Sequence, residues 1–454
     1  MKQENQFFKT VCKIAIPVTL QSMLQSSFGI IDQLMIGRLG SVSIAGIGLA
    51  GKFYSIYTVM VSAIATVAGI MIAQYMGKQE KKEVDKSLSV NLVAAGLLAL
   101  LFMILCQAAP QFIMSNYTTD AEICSTAAVY LKLLSLTFLP MAGTTLLSTM
   151  LRCMEKTSLP LYACIVAAVI NTGLNYVLIF GKLGFRAMGV EGAAIATVIS
   201  QIANFIIVLT AFILVYRKEK KPFLFSVKLG AGGYKQYFII LIPILFNEFL
   251  WSLGENVYAS IYGHMGKVPC AAMTLTNPIQ GLLIGALSGL SQAAGILIGK
   301  SLGKKEYEKA YKESKKLMLY GLVGAVMLSL FLILLKGVYV NVYAVEDVVK
   351  QTAEQILIAF ALISPVKVMN MILAGGIIRS GGKTKIVMWI DMIGTWIFGV
   401  PLGLLAAFVW NLPIPLVYFI LSLEEVIRLL IALVIFKKKT WMQSLETNQE
   451  LAAA

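Results

Sequence analysis

Three polar side chains in one apolar stretch carry the first chemical information in this sequence. Gln21, Gln25 and Asp32 lie within Ile14 to Gly37 at separations of 4 and 7 residues, so one stripe of a helix presents all three. A carboxylate in hydrocarbon is disfavoured by roughly 2.5–3.5 kcal/mol on insertion scales, so Asp32 is expected to face a protein interior and to act there. Two later apolar stretches offer partners: Asn171 and Asn175 at i and i+4, then Thr197, Gln201 and Asn204 along one face. Counted from the outer ends of their predicted spans at about 1.5 Å per residue, Asp32, Asn175 and Thr197 fall within about 5 Å of a common depth. One carboxylate with amide and hydroxyl oxygens suits Na⁺, held first by Asp32 and Asn175, and the carboxylate alone can take a proton. The alternative is that Asp32 only ties helices together through hydrogen bonds to the asparagines.

A second acidic stripe, Glu248, Ser252 and Glu255, is spaced i, i+4, i+7. With Trp251, Tyr258, Trp389 and Trp396 nearby in their own spans, it suits a positively charged organic molecule, and Gln25 and Asp391 are further candidates for that contact. Asp391 could instead pair with Arg379 or Lys385. Glu424 and Glu425 precede Arg428 by four and three residues, so an intrahelical ion pair accounts for one of them. The six cysteines show no CxxC, and a disulfide frame or zinc site is not expected. His264 is expected to be solvated.

The elements that must position these groups are membrane helices. The chain has 454 residues, 58% hydrophobic and 13% charged, with a mean hydropathy of +0.80, which excludes an ordinary soluble domain. Twelve stretches reach spanning length: 14–37, 53–76, 88–109, 122–149, 159–180, 189–216, 236–262, 270–299, 316–336, 349–378, 386–409 and 414–436. Their length and lack of alternation exclude a barrel. The net charge of +15 invites a polyanion partner, but its distribution argues otherwise. With the amino terminus inside, 28 of 38 basic residues fall on inner segments and seven on outer ones, so both termini are expected in the cytoplasm and no nucleic acid is expected. The first apolar run lacks a cleavage site and is expected to stay as the first helix.

A shift of 226 residues aligns Pro17 with Pro243, Gly37 with Gly263, Gly40 with Gly266, and Gly77-Lys78 with Gly303-Lys304. Ala68, Gly69 and Ile70 likewise meet Ala294, Gly295 and Ile296. The expected organisation is an amino-terminal lobe of six helices (1–216), a cytoplasmic connector (217–235), a carboxy-terminal lobe of six (236–440) and a disordered tail (441–454). An even helix number per half predicts parallel repeats with the substrate site at their interface. Pro140 and Pro365 sit deep in the fourth and tenth spans and read either as fixed bends or as hinges. GIGLAG at Gly46–Gly51 fits a dinucleotide fingerprint only in letters; without a preceding strand it reads as small residues for close helix approach.

The run Asn171-Thr-Gly-Leu-Asn175 continuing through Gly181, Gly184, Gly189 and Gly192 to Thr197 resembles the multidrug and toxic compound extrusion (MATE) family. Asp32 followed by Gly37 and Gly40, and the Arg379-Ser-Gly-Gly-Lys-Thr384 turn, extend the resemblance from Ile14 to about Lys439. The resemblance implies an all-α membrane protein of two pseudo-symmetric six-helix bundles in a V. It also implies efflux of organic cations or drugs in exchange for Na⁺ or H⁺, with no other cofactor. Carried over by position, the cation site is Asp32, Asn171, Asn175 and Thr197. Position 175 is often Asp in the family and is Asn here, which leaves the choice between Na⁺ and H⁺ open. A monomer in the plasma (inner) membrane is expected. The runner-up is a lipid-linked precursor flippase of the wider superfamily, which would want a cationic cavity. An intramembrane enzyme lacks every motif it would need.

Overall fold

The computed structural model describes residues 2–218, 222–229, 231–343 and 345–446, and among them there is no strand. In chain order the helices are α1 (Lys2–Ile36), α2 (Ser41–Gly77), α3 (Lys81–Ala108), α4 (Pro110–Ser115), α5 (Ala121–Leu134), α6 (Phe138–Cys153), α7 (Ser158–Phe180) and α8 (Gly189–Lys218). The second half runs α9 (Ala231–His264), α10 (Lys267–Gly303), α11 (Tyr307–Asn341), α12 (Asp347–Asn370), α13 (Thr384–Met392), α14 (Val400–Leu404), α15 (Ile414–Leu421) and α16 (Glu424–Lys438). Eleven helical runs among the described residues are long and apolar enough to cross a membrane. The twelfth expected span is broken at Ser422-Leu423 into α15 and α16, and the eight residues of α15 span only about 12 Å.

Irregular backbone concentrates in the second half. A π-helical segment, Met371–Ile378, follows α12, and two more, Ile393–Gly399 and Leu405–Val409, flank α14. Each π turn adds a residue to the ring of hydrogen bonds and widens the helix, a device found mostly at functional sites. Pro365 lies inside α12 just ahead of the first of them. Pro140 is the third residue of α6, after a 3₁₀ turn at Ser135–Thr137, so it starts a new helix segment rather than bending a continuous one.

The repeat is visible in backbone angles. Gly40 and Gly266 close the connections after α1 and α9 at φ 94° and 116°, where a side chain would be strained. Gln79 and Lys305, again 226 apart, both take φ near 60° in the turns after α2 and α10.

The chain forms two compact units, and the grouping does not follow chain order. One comprises Leu20–Ile72 and Glu80–Leu229. In it Gly46 of α2 abuts Thr126 and Ala127 of α5 at 3.0–3.1 Å from an added Cβ, the close approach expected of GIGLAG, whereas Gly48 and Gly51 face open space. Asp85, fully buried, takes the Tyr216 hydroxyl at 2.9 Å and the Leu224 N–H at 3.2 Å. The connector residues 222–229 are thereby tied to the base of α3.

The other unit comprises Met1–Thr19, Ala73–Gln79 and Gly230–Ala454. Thr19 donates to the Ala286 carbonyl at 3.1 Å, and a Cβ on Gly289 would strike the Ala15 carbonyl. At the ends of α2 and α10 the packing is reciprocal. A Cβ on Gly77 would meet the Lys300 carbonyl, and one on Gly303 would meet the Gln74 carbonyl, so the contact maps onto itself under the 226-residue shift. The tail expected to be disordered from 441 is packed through Glu446: Trp441 is 0% exposed, and the Leu445 N–H donates to Gln74 Oε1 at 2.6 Å. Residues 447–454 lie outside the described residues, as do 219–221 and 230 of the connector.

Candidate cation and solute sites

Asp32 lies in the penultimate turn of α1, close to where the helix gives way to the Gly37–Leu39 turn. Asn175 Nδ2 of α7 donates to Asp32 Oδ1 at 2.8 Å and to Asn171 Oδ1 at 3.1 Å. Asn171 Nδ2 in turn reaches Thr197 Oγ1 and Ser200 Oγ of α8, both at 3.4 Å. Asn171 and Asn175 are both buried, as their i, i+4 spacing on a helix interior requires. The four residues predicted for the cation site therefore form one hydrogen-bonded chain from α1 through α7 to α8.

One further member is Ser200, one turn beyond Thr197, which extends the chain; the periodicity of α8 marks it. The donor set is hard oxygen throughout, which fits Na⁺ or a proton. Asn175 turns its N–H₂ toward Asp32; rotation of the amide would present its oxygen to a cation instead. Among the described residues no cluster of three His, Cys, Asp or Glu could hold a transition metal.

Gln21 on the same stripe accepts from Arg152 Nη2 at 2.9 Å, and thus belongs to a different network. Gln25 is exposed, with no hydrogen bond among the described residues.

A separate cavity of about 390 Å³ lies within the carboxy-terminal unit. Asn247, Glu248, Trp251 and Glu255 of α9 line it, with Lys367 and Asn370 of α12 and Asp391 of α13. Met371, Ala374 and Gly375 bring the π-helical wall to it, and Arg379, Glu425 and Arg428 complete the polar lining. The predicted acids Glu248, Glu255 and Asp391 are thus brought together, in a cavity that Lys367, Arg379 and Arg428 also line. Arg379 Nη1 is 3.8 Å from Glu248 Oε1. Asp391 pairs with Arg428, at 3.8 Å, rather than with Arg379 or Lys385, and accepts from Asn247 Nδ2 at 2.9 Å.

Arg428 also serves both neighbouring acids on α16, Glu424 at 3.3 Å and Glu425 at 3.7 Å, so neither is left over. Glu425 further accepts from Asn370 at 2.8 Å. Tyr258 departs from expectation: it is 5% exposed, packed in the core with its hydroxyl on Glu424, and forms no part of the cavity wall. Trp251 does line the wall, half exposed; Trp389 and Trp396 do not. An arginine in an apolar helix is as costly as an acid, and that symmetry was the available signal for Arg428. His264 is exposed, with Nδ1 at 2.8 Å from the Ser260 carbonyl.

Comparison with known proteins places these sites in context. A family model described as MatE matches residues 17–177 and again 243–405, the two matches beginning 226 residues apart. The uncharacterized transporter YisQ of Bacillus subtilis is 23% identical over 94% of this chain and 93% of its own length. A probable multidrug resistance protein, NorM, of Neisseria meningitidis is 25% identical over 88% of this chain and 87% of its own. Among solved structures, the Vibrio cholerae MATE transporter VcmN in the bent form superposes with a TM-score of 0.87 at 17% identity, over 97% of this chain and 98% of that one.

Proposed function

Because the chain belongs to the MatE family, a family of transporters and not of enzymes, we propose that it exports organic cations or drugs by secondary active antiport, driven by Na⁺ or H⁺ at Asp32. The observation that carries this reading is the Asp32–Asn175 hydrogen bond and its continuation through Asn171 to Thr197. It gives a carboxylate within a membrane helix a set of neutral oxygen-bearing partners. The names of relatives, multidrug resistance proteins among them, support small organic compounds as cargo.

Coupling in such a device needs only unequal affinity of each ligand for the inward- and outward-open states. A cation taken up at Asp32 from outside favours the state that has released its cargo, and the cargo favours the state that has released the cation. One positive charge moving inward across 100 mV supplies about 2.3 kcal/mol, enough for roughly a 50-fold cargo gradient at about 1.4 kcal/mol per decade. The charge bias of the loops supports cytoplasmic termini in the plasma membrane.

Ethidium efflux from proteoliposomes, under Na⁺ and H⁺ gradients imposed separately, tests the reading. One gradient should drive efflux, and Asp32→Asn should abolish it while the variant elutes and melts like the parent. Undiminished driven efflux in Asp32→Asn overturns the assignment. The three basic side chains of the second cavity favour one alternative, a flippase for a lipid-linked pyrophosphate, which would move such a lipid across the vesicle without any ion gradient.

A further inference from the structure

Residues 222–229 of the connector form neither helix nor strand, yet they are held in a fixed place. Leu224 donates its backbone N–H to Asp85 Oδ2 at 3.2 Å, and Ser226 donates its own to Ser89 Oγ at 3.2 Å. Asp85 and Ser89 lie four residues apart on α3, so the segment runs beside that helix for about 6 Å. Phe223 pins it from within, set edge-on against Phe212 and Tyr216 at 5.7 and 5.6 Å, and so does the buried Leu229. Lys81 Nζ secures the near end by donating to the Pro222 carbonyl at 2.9 Å.

The outward side of this segment is apolar. Leu224, Phe225 and Val227 are 52%, 62% and 37% exposed. The spanning stretch of α3 begins at residue 88, so Asp85 and Ser89 bracket the level at which the helix enters hydrocarbon. Leu224 and Phe225 sit at that level, where exposed apolar side chains gain by entering the boundary between headgroups and acyl chains. The Phe225 N–H, between the two bonded ones, has no partner among the described residues. Bare hydrocarbon penalises such a group, whereas headgroup oxygens satisfy it.

The charge around the segment is positive. From Glu80 to Lys86 and from Arg217 to Lys228 the described residues hold six bases and three acids. Two of those acids are engaged within the protein, Glu83 by Lys86 at 2.8 Å and Asp85 by Tyr216 and the connector. Lys82, Arg217, Lys218 and Lys228 are exposed and make no ion pair or hydrogen bond among the described residues.

We propose that the connector is a docking surface for anionic phospholipid, with Leu224 and Phe225 seated at the headgroup–acyl boundary and Arg217, Lys218 and Lys228 on headgroup phosphates. The excess of bases selects an anionic headgroup over a zwitterionic one. An acidic soluble protein would suit the bases, but it would meet Leu224 and Phe225 only at a level that lipid already occupies. The proposal rests on the α3 stretch being a membrane span, and not on the direction or chemistry of transport.

Limited trypsin digestion in nanodiscs tests it, because both faces of a disc are open. One set of discs is phosphatidylcholine alone, and the other is equal parts phosphatidylcholine and phosphatidylglycerol. Cleavage after Lys228, identified by fragment mass, is compared with cleavage after Lys304 or Lys305 in the exposed turn between α10 and α11. The anionic discs should slow the first about tenfold relative to the second, and salt at about 1 M should reverse most of that slowing. Lys218→Gln should lose about fivefold of the protection. Phe225→Ser should speed cleavage after Lys228 in both kinds of disc.

Equal relative rates in the two discs, slowing shared by the control turn, or slowing that salt leaves intact overturns the proposal. So does protection unmoved by Lys218→Gln, or cleavage unchanged by Phe225→Ser. Should either variant fail to fold, the parent's response to lipid and salt decides the matter. Loss of lipid docking would leave the antiport reading standing, and absence of driven efflux would leave the docking result untouched.

Discussion

Asn175 donates one amide to two acceptors, Asp32 Oδ1 at 2.8 Å and Asn171 Oδ1 at 3.1 Å, so a single side chain on α7 sets the position of the carboxylate on α1. A hydrogen bond to a charged group contributes about 1.5–3 kcal/mol. That bond steadies the cation-free carboxylate, so Asn175→Ala should move the cation dependence of half-maximal efflux by about tenfold: toward tighter binding where H⁺ drives the exchange, and toward weaker binding where Na⁺ uses the amide oxygen. Efflux with an unchanged cation dependence would detach Asn175 from the site.

Asn175→Asp makes a different test. It sets a second carboxylate at hydrogen-bond distance from the first and restores the residue often found here in the family. Two carboxylates at that distance favour a shared cation over two bare charges. Driven efflux should survive, and its dependence on Na⁺ relative to H⁺ should shift from that of the parent when the two gradients are imposed separately.

Arg428 holds three acids together. Arg428→Met leaves Asp391, Glu424 and Glu425 without their common base, and removing one partner of a buried ion pair costs about 3–5 kcal/mol. The variant should melt well below the parent in detergent. Adding Glu424→Gln and Asp391→Asn should recover much of the loss, and no recovery would place the defect in packing instead.

Trp441 is wholly buried and stacks on Phe436 at 5.7 Å between ring centroids. Trp441→Ala should cost about 3–5 kcal/mol as a large-to-small core change, read as a lowered melting temperature. Gln74→Ala should cost less than Trp441→Ala but act on the same segment, because Gln74 holds the Ser380 carbonyl at 2.6 Å and the Leu445 N–H at 2.6 Å. Faster proteolysis after Thr440 in both variants would mark the shared effect.

The parts legible from sequence were those encoded locally or by repetition. Hydropathy gave the spans, helical spacing put Asn171 beside Asn175, and depth counting brought Asp32 to their level. The pairing of Glu248 with Arg379 was hidden because Arg379 follows an apolar run and reads as a loop charge, while the π-helical stretch before it carries no composition of its own. Asp391 and Arg428 are 37 residues apart and meet only through the packing of α13 and α16. Trp441 looked like tail because its burial depends on glycines elsewhere: a Cβ on Gly381 would collide with the Trp441 carbonyl.

The reciprocal glycines at the ends of α2 and α10 bear on the origin of the chain. Gly77 seats the Lys300 carbonyl and Gly303 seats the Gln74 carbonyl, the handshake that two identical subunits make across a two-fold axis. A six-helix ancestor carrying this glycine once would already have owned both sides of the joint. Joining two such copies would need only a connector, not a new interface, and would leave each half free to lose or gain acids alone.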